Sequence, residues 1–151
     1  MDRWFTMARM RIHVAQDAQS VVEAWAPHAD MPPLHVHHHE DETFYVLEGR
    51  LSVHTAEQSV ELGPGQAAFA PHGVPHAYRV ESEDGAHWIV VTNSGGFASF
   101  VQAASVPAED EGYPPAESML APEVLTAEAR ARGIELLGPP GLLPQKLERA
   151  A

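Results

Sequence analysis

Pro33-Leu34-His35-Val36-His37-His38-His39-Glu40-Asp41-Glu42-Thr43-Phe44-Tyr45-Val46-Leu47-Glu48-Gly49 is the stretch whose reading decides the fold. Both of its flanks are strand-like. Leu34 and Val36 alternate with His35 and His37, and 43–47 is rich in aromatic and β-branched residues. Between them lies the polar tetrad His38-His39-Glu40-Asp41, which marks a turn or bulge. A strand places residues i and i+2 on one face, so His35 and His37 can aim two imidazoles at one point. Glu42 is an odd number of residues beyond His37 and would face away in an unbroken strand. A turn or bulge in the tetrad re-aims it toward the histidines and puts Glu42, Phe44 and Val46 on the inner face. On this reading Glu42 is a ligand, whereas Glu40 and Asp41 are loop residues in water. Two imidazoles and a carboxylate with open positions suit iron and neighbouring divalent metals. The run His37-His38-His39 offers a competing, adventitious site on the loop.

Working outward, residues 4–92 divide into short strand candidates punctuated by turn chemistry. Met10, Ile12 and Val14 alternate with Arg11 and His13, and 20–26 is closed by Pro27. Gly49 turns the chain into 51–55, and further strands are expected at 59–62, 67–70, 76–80 and 88–92. Gly63-Pro64-Gly65 and Pro71-His72-Gly73 punctuate them. Many short strands with Gly/Pro turns imply an all-β antiparallel sandwich or barrel. The expected division is a barrel over 1–104 and an extension over 105–151 that packs on it. Within these, 96–104 is expected as a short helix and 107–122 as an acidic, proline-rich connector. A helix over 122–132 starts at Pro122 and stops at Gly133.

Composition narrows the function. The chain has 151 residues, 44% apolar and 20% charged, which fits one folded domain. A net charge of −12 argues against nucleic acid and anionic membrane surfaces as partners. There is no cysteine, so any metal must sit on nitrogen and oxygen ligands. The opening residues 1–14 are broken by Arg3, Arg9 and Arg11 and are not expected to be a signal peptide, and no apolar run is long enough for a membrane helix. A cytoplasmic location is expected.

His-x-His-x4-Glu-x6-Gly, filled by His35, His37, Glu42 and Gly49, resembles the first motif of the cupin superfamily. Gly-x5-Pro-x-Gly-x2-His, filled by Gly65, Pro71, Gly73 and His76, resembles its second. The likeness covers residues 4–92 and is strongest to the small single-cupin, quercetin-dioxygenase-like branch. It implies an antiparallel jelly-roll barrel in which His35, His37, Glu42 and His76 hold one divalent metal: Fe, Mn, Ni, Co or Zn. It also implies a homodimer, with the N-terminal strand a candidate contact. In two places the chain departs from the family pattern: Ala29 stands where glycine is usual, and Val80 where asparagine is usual.

The expected activity is a dioxygenase acting on a small planar enol or phenol together with O2. Glu42 would be the catalytic proton acceptor, and Phe44 and Tyr78 would be candidates for the pocket wall. The alternatives are a non-redox isomerase, cyclase or lyase, and a non-catalytic cupin that binds a small ligand or is braced by zinc. His72 is expected in solvent, Trp25 and Trp88 in the core or an interface, and 109–111 as a solvated run. His54 can line the cavity or face water.

Overall fold

A computed structural model describes residues 1–144. Among these residues, twelve strands form two antiparallel sheets that face each other. The first sheet contains β1 (Asp2–Phe5), β2 (Ala8–Gln16), β3 (Gln19–Ala26), β5 (Glu42–Glu48), β8 (Ala67–Ala70), β10 (Ala86–Thr92) and β11 (Val106–Pro107). Its order is β11-β1-β2-β3-β10-β5-β8. The second contains β4 (Pro33–His37), β6 (Leu51–Thr55), β7 (Ser59–Leu62), β9 (His76–Val80) and β12 (Ile134–Pro140), in the order β12-β4-β9-β6-β7. Two helices follow the main body, α1 (Gly96–Ala103) and α2 (Pro122–Arg130).

Period-two alternation explains the layering. In β10, Ala86, Trp88, Val90 and Thr92 are buried, while His87, Ile89 and Val91 between them are half-buried. Its neighbours match in register, with Val90 opposite Val22 on β3 and Phe44 on β5. The inner faces of both sheets therefore meet in one core that includes Phe44, Val46, Trp88, Leu51 and Val80. The β2 alternation is interrupted by a bulge between Ile12 and Val14, where it pairs with β3.

The chain beyond residue 105 returns into both sheets. Val106–Pro107 pairs with β1, which thus has neighbours on both sides at Arg3 and Trp4. The connector between β11 and α2 is extended apart from a short 3-10 turn at Ala116–Ser118. Ile134–Pro140, read from sequence only as packing against the body, is a strand, with Ile134 opposite His37 and Leu136 opposite His35. Gly133 stops α2 with a positive φ of 75°. The last residues of the expected extension, 145–151, lie outside the described residues.

The two departures from the family pattern meet each other. Ala29 has φ 68°, the left-handed conformation that favours glycine, and its N–H donates to the carbonyl of Val80 at 2.9 Å. Val80 is fully buried in the core and does not line the cavity described below.

Candidate metal centre

Strands from both sheets build the site. The turn at 38–41 carries the chain from β4 in the second sheet to β5 in the first, which is what turns Glu42 toward His35 and His37. That turn is pinned from several sides. The His38 N–H donates to Gly133 O at 2.9 Å, and the Asp41 N–H to Asn93 Oδ1 at 2.7 Å. His76 enters from β9 directly opposite His35. The nitrogen or oxygen ligand atoms of His35, His37, Glu42 and His76 lie within 4.8 Å of one another.

Each imidazole is oriented from behind. His35 Nδ1 donates to Pro33 O at 2.8 Å, His37 Nδ1 to Glu40 Oε1 at 2.8 Å, and His76 Nδ1 to Val74 O at 3.2 Å. All three partners accept, so each ring is oriented with Nδ1 outward and Nε2 toward the other ligands, and a ring without a proton on Nε2 offers that lone pair inward. Glu42 Oε2 lies 2.8 Å from His76 Nε2 and 3.2 Å from His37 Nε2. The latter pair is close enough for charge attraction but poorly aligned for a hydrogen bond, and His37 Nε2 is buried without a hydrogen-bond partner among the described residues. Three imidazole nitrogens and a carboxylate converging around an orphaned buried nitrogen are what a divalent cation would satisfy by displacing the protons among them, and these nitrogen and oxygen ligands fit Fe, Mn, Ni, Co or Zn alike.

Charge is shared unevenly across this cluster. Burial alone would depress His37, but the carboxylates of Glu42 and Glu40 outweigh it and raise it to about 10. His35 is pushed down to about 3 by burial and by the neighbouring histidines His76 and His37. Burial raises Glu42, yet His37 and His76 together hold it well below the usual carboxylate range.

Glu40 is the correction. The composition of the turn places it in water, but it is only 3% exposed and its carboxylate backs His37. Asp41 does stay at the surface, where its Oδ1 accepts from His72 Nδ1 at 2.8 Å. His54 is tied to Ser52 and Ser59 and does not line the cavity. Trp88 is fully buried, whereas Trp25 is half-buried, stacks on His87 and lies under Arg9.

His35, His37 and Glu42 open into a cavity of about 50 Å³ with mostly apolar walls, Phe44 and Tyr78 among them. Part of its wall comes from late in the chain, Phe97 and Phe100 of α1, Leu125 of α2, and Ile134 and Leu136 of β12, and part from Phe5, Met10 and Trp88. Tyr78 donates its hydroxyl to Asp30 Oδ2 at 3.4 Å. Burial, Asp30 and Glu42 together raise the phenol well above its ordinary range. A second groove shares Thr6, Pro32, Pro33, Leu125 and Leu136 with the cavity.

A two-sheet antiparallel barrel with three imidazoles and a carboxylate converging inside it defines a class, the small jelly-roll proteins with a possible internal metal site. Residues 21–92 match the family model described as the cupin domain. The chain thus belongs to the cupin superfamily. It is 32% identical over 94 residues to quercetin 2,3-dioxygenase of Bacillus subtilis (strain 168), a match covering 62% of this chain and 28% of that protein. The chain therefore spans little more than a quarter of that relative's length. Among solved structures, TT1209 from Thermus thermophilus is similar at a TM-score of 0.55 and 32% identity, over 58% of this chain and 84% of that one. KdgF from Halomonas sp. also has a TM-score of 0.55, at 20% identity, over 62% of this chain and 86% of that one, a likeness of fold. Among the described residues no helix is long and apolar enough to cross a membrane.

Proposed function

We propose that this protein is a metal-dependent cupin dioxygenase acting on a small planar enol or phenol, with His35, His37, Glu42 and His76 as the metal ligands. The observation that carries the reading is the convergence of three imidazoles and one carboxylate inside the barrel, with His35, His37 and Glu42 at the wall of an apolar cavity. The partial likeness to quercetin 2,3-dioxygenase supports the oxygenase chemistry over other uses of such a centre. When bound, Fe, Mn, Ni or Co supplies redox chemistry toward O2, whereas Zn supplies Lewis acidity alone.

The chain's own residues would do the rest. Among the described residues, Glu42 is the only acid lining the cavity. It is ionised and placed to accept the proton that an enol or phenol O–H loses on binding. Phe44 and Tyr78 flank it and meet edge to face at 6.1 Å, giving an aromatic wall for a flat substrate. The apolar roof excludes water from that proton transfer. At about 50 Å³ the cavity holds a few water-sized groups, so a flavonol-sized body fits only when lining side chains move aside. A single-ring enol or phenol needs less displacement.

The test is elemental analysis of protein purified without an affinity tag, followed by oxygen uptake with a panel of enols, phenols and diketones. A redox metal at one per chain and substrate-dependent uptake are expected. Stoichiometric zinc without uptake would replace this reading with a non-redox isomerase, cyclase or lyase, or with a braced binding protein. A metal content unchanged by His76→Ala would move the site to the His37-His38-His39 loop.

A homodimer is part of the same proposal. The outer face of the first sheet supports it: Tyr45 is 42% and Phe69 59% exposed, beside the half-buried Ile89 and Val91. Sedimentation of wild type against a Tyr45→Glu, Phe69→Glu double variant tests it, with a monomeric wild type as the refuting result.

A further inference from the structure

We propose that Glu40 is a positioning residue that couples occupancy of the metal centre to the seating of α1 over the cavity; this rests on the metal reading above. Both oxygens of this buried carboxylate are committed. Oε1 accepts from His37 Nδ1 at 2.8 Å. Oε2 accepts from Ser94 Oγ at 2.5 Å and from the Phe97 N–H at 3.4 Å. One oxygen orients a ligand and the other holds the start of a helix.

The helix needs this help. The first N–H groups of any helix lack an internal acceptor and attract negative charge. Residue 95, the N-cap of α1, is a glycine that offers no side chain, and the first turn contains no acid of its own. Ser94 Oγ accepts from the Gly96 N–H and Ser20 Oγ from the Ala98 N–H, each at 3.1 Å, and Glu40, 57 residues away from Phe97 in the chain, takes the Phe97 N–H between them and brings a carboxylate to the helix start. Gly96 leaves room for it, since a Cβ there would lie 3.3 Å from Glu40 Oε2. The same helix brings Phe97 and Phe100 to the cavity wall, and the Phe97 ring centre is 6.1 Å from that of His37. Phe100 in turn packs edge to face on Phe5 at 5.1 Å.

A cation bound at His37 Nε2 draws electron density from the ring and strengthens the Nδ1–H···Oε1 bond. That fixes Glu40, and Glu40 fixes the N-terminus of α1. Coupling of this kind is reciprocal, so lifting α1 weakens the metal. Carboxylates behind a ligand histidine typically contribute about 10- to 100-fold to metal affinity.

The test measures Co(II) affinity by chelator competition, the visible absorption of the Co(II) form, and amide hydrogen exchange across 97–101 with and without Zn(II). It compares wild type, Glu40→Gln, Ser94→Ala and His35→Ala. Glu40→Gln, which keeps shape and an acceptor but removes charge, is expected to lose about 10- to 100-fold in Co(II) affinity and to shift the Co(II) bands. Zn(II) is expected to slow exchange across 97–101 in wild type but not in Glu40→Gln, and Ser94→Ala should fall between them. Wild-type affinity and spectrum in Glu40→Gln, or exchange in the wild type that is indifferent to Zn(II), would overturn the coupling while leaving the metal site standing. Absence of binding in the wild type, or wild-type affinity in His35→Ala, would overturn the metal reading and this inference together. The wild-type exchange measurement keeps the proposal falsifiable even where a variant does not fold.

Discussion

Replacing Asp30 by asparagine should stabilise the metal-free protein at neutral pH and flatten part of its pH dependence. Asp30 is 6% exposed, and burial raises its carboxyl from the ordinary 3.8 to about 6, against the opposing hydrogen bonds from Tyr78 and the Met31 backbone. A raised acid binds its proton more tightly folded than unfolded. Its contribution is therefore fully present below pH ~4 and is lost as the pH climbs through ~6. At roughly 1.4 kcal/mol for each tenfold change in proton affinity, the loss across that window is about 3 kcal/mol. This is a large share of the roughly 5–15 kcal/mol that typically separates folded from unfolded domains. An asparagine at this position would be neutral throughout and could still accept from the Tyr78 hydroxyl through its amide oxygen. Urea unfolding in chelator, repeated between about pH 4 and pH 7.5, gives the stability of each form. The difference between Asp30→Asn and wild type should grow in favour of the variant by up to about 3 kcal/mol as the pH rises. Taking this difference cancels every other titrating group that the two proteins share. A difference that stays constant, or that shrinks toward neutral pH, would refute burial as the dominant influence on Asp30.

Other perturbations have calculable signs. Ala29→Gly should gain about 0.5–1 kcal/mol in urea unfolding, since relief of the left-handed backbone cost exceeds the added freedom of the unfolded chain. Gly49→Ala should lose about 2 kcal/mol or more, because φ is 78° and the new Cβ would sit 2.4 Å from Gly85 O. Leu125→Ala thins the partition between the cavity and the second groove, both of which it lines. Chelator should then strip metal several-fold faster in stopped-flow, with equilibrium affinity changed little.

The strands of the barrel were legible because half-buried strands write their two faces into the sequence. Trp88 and Val90 alternate with Ile89 and Val91, and turn residues separate the runs. Parity across a polar turn was likewise enough to bring Glu42 to the histidines, because a strand has only two faces to choose between. Glu40 escaped for the opposite reason. A charged residue inside His-His-Glu-Asp has the composition of a solvated turn, and its partners Ser94 and Phe97 N–H come from a helix far along the chain. The available hint was a pair: an acid three residues past a candidate ligand, and a helix whose N-cap, Gly95, has no side chain and whose first turn has no acid. β12 was missed as a strand since Ile134-Glu135-Leu136 is brief and Pro139 and Pro140 argue against regular structure. Pairing with β4, itself distant in sequence, decides it.

The cavity roof has a bearing on how such a protein can change. The candidate metal cluster comes from 35–76, whereas Phe97, Phe100, Leu125, Ile134 and Leu136 come from a later stretch, beyond the span shared with the cupin family model. The candidate metal cluster and this roof are thereby written in separate segments of the gene, while Phe44 and Tyr78 keep part of the cavity wall with the cluster. Recombination or a designed graft can exchange the roof wholesale and offer the same centre to a new class of molecule. The seam of such a graft runs through Glu40, so a replacement roof has to bring its own donor to that carboxylate.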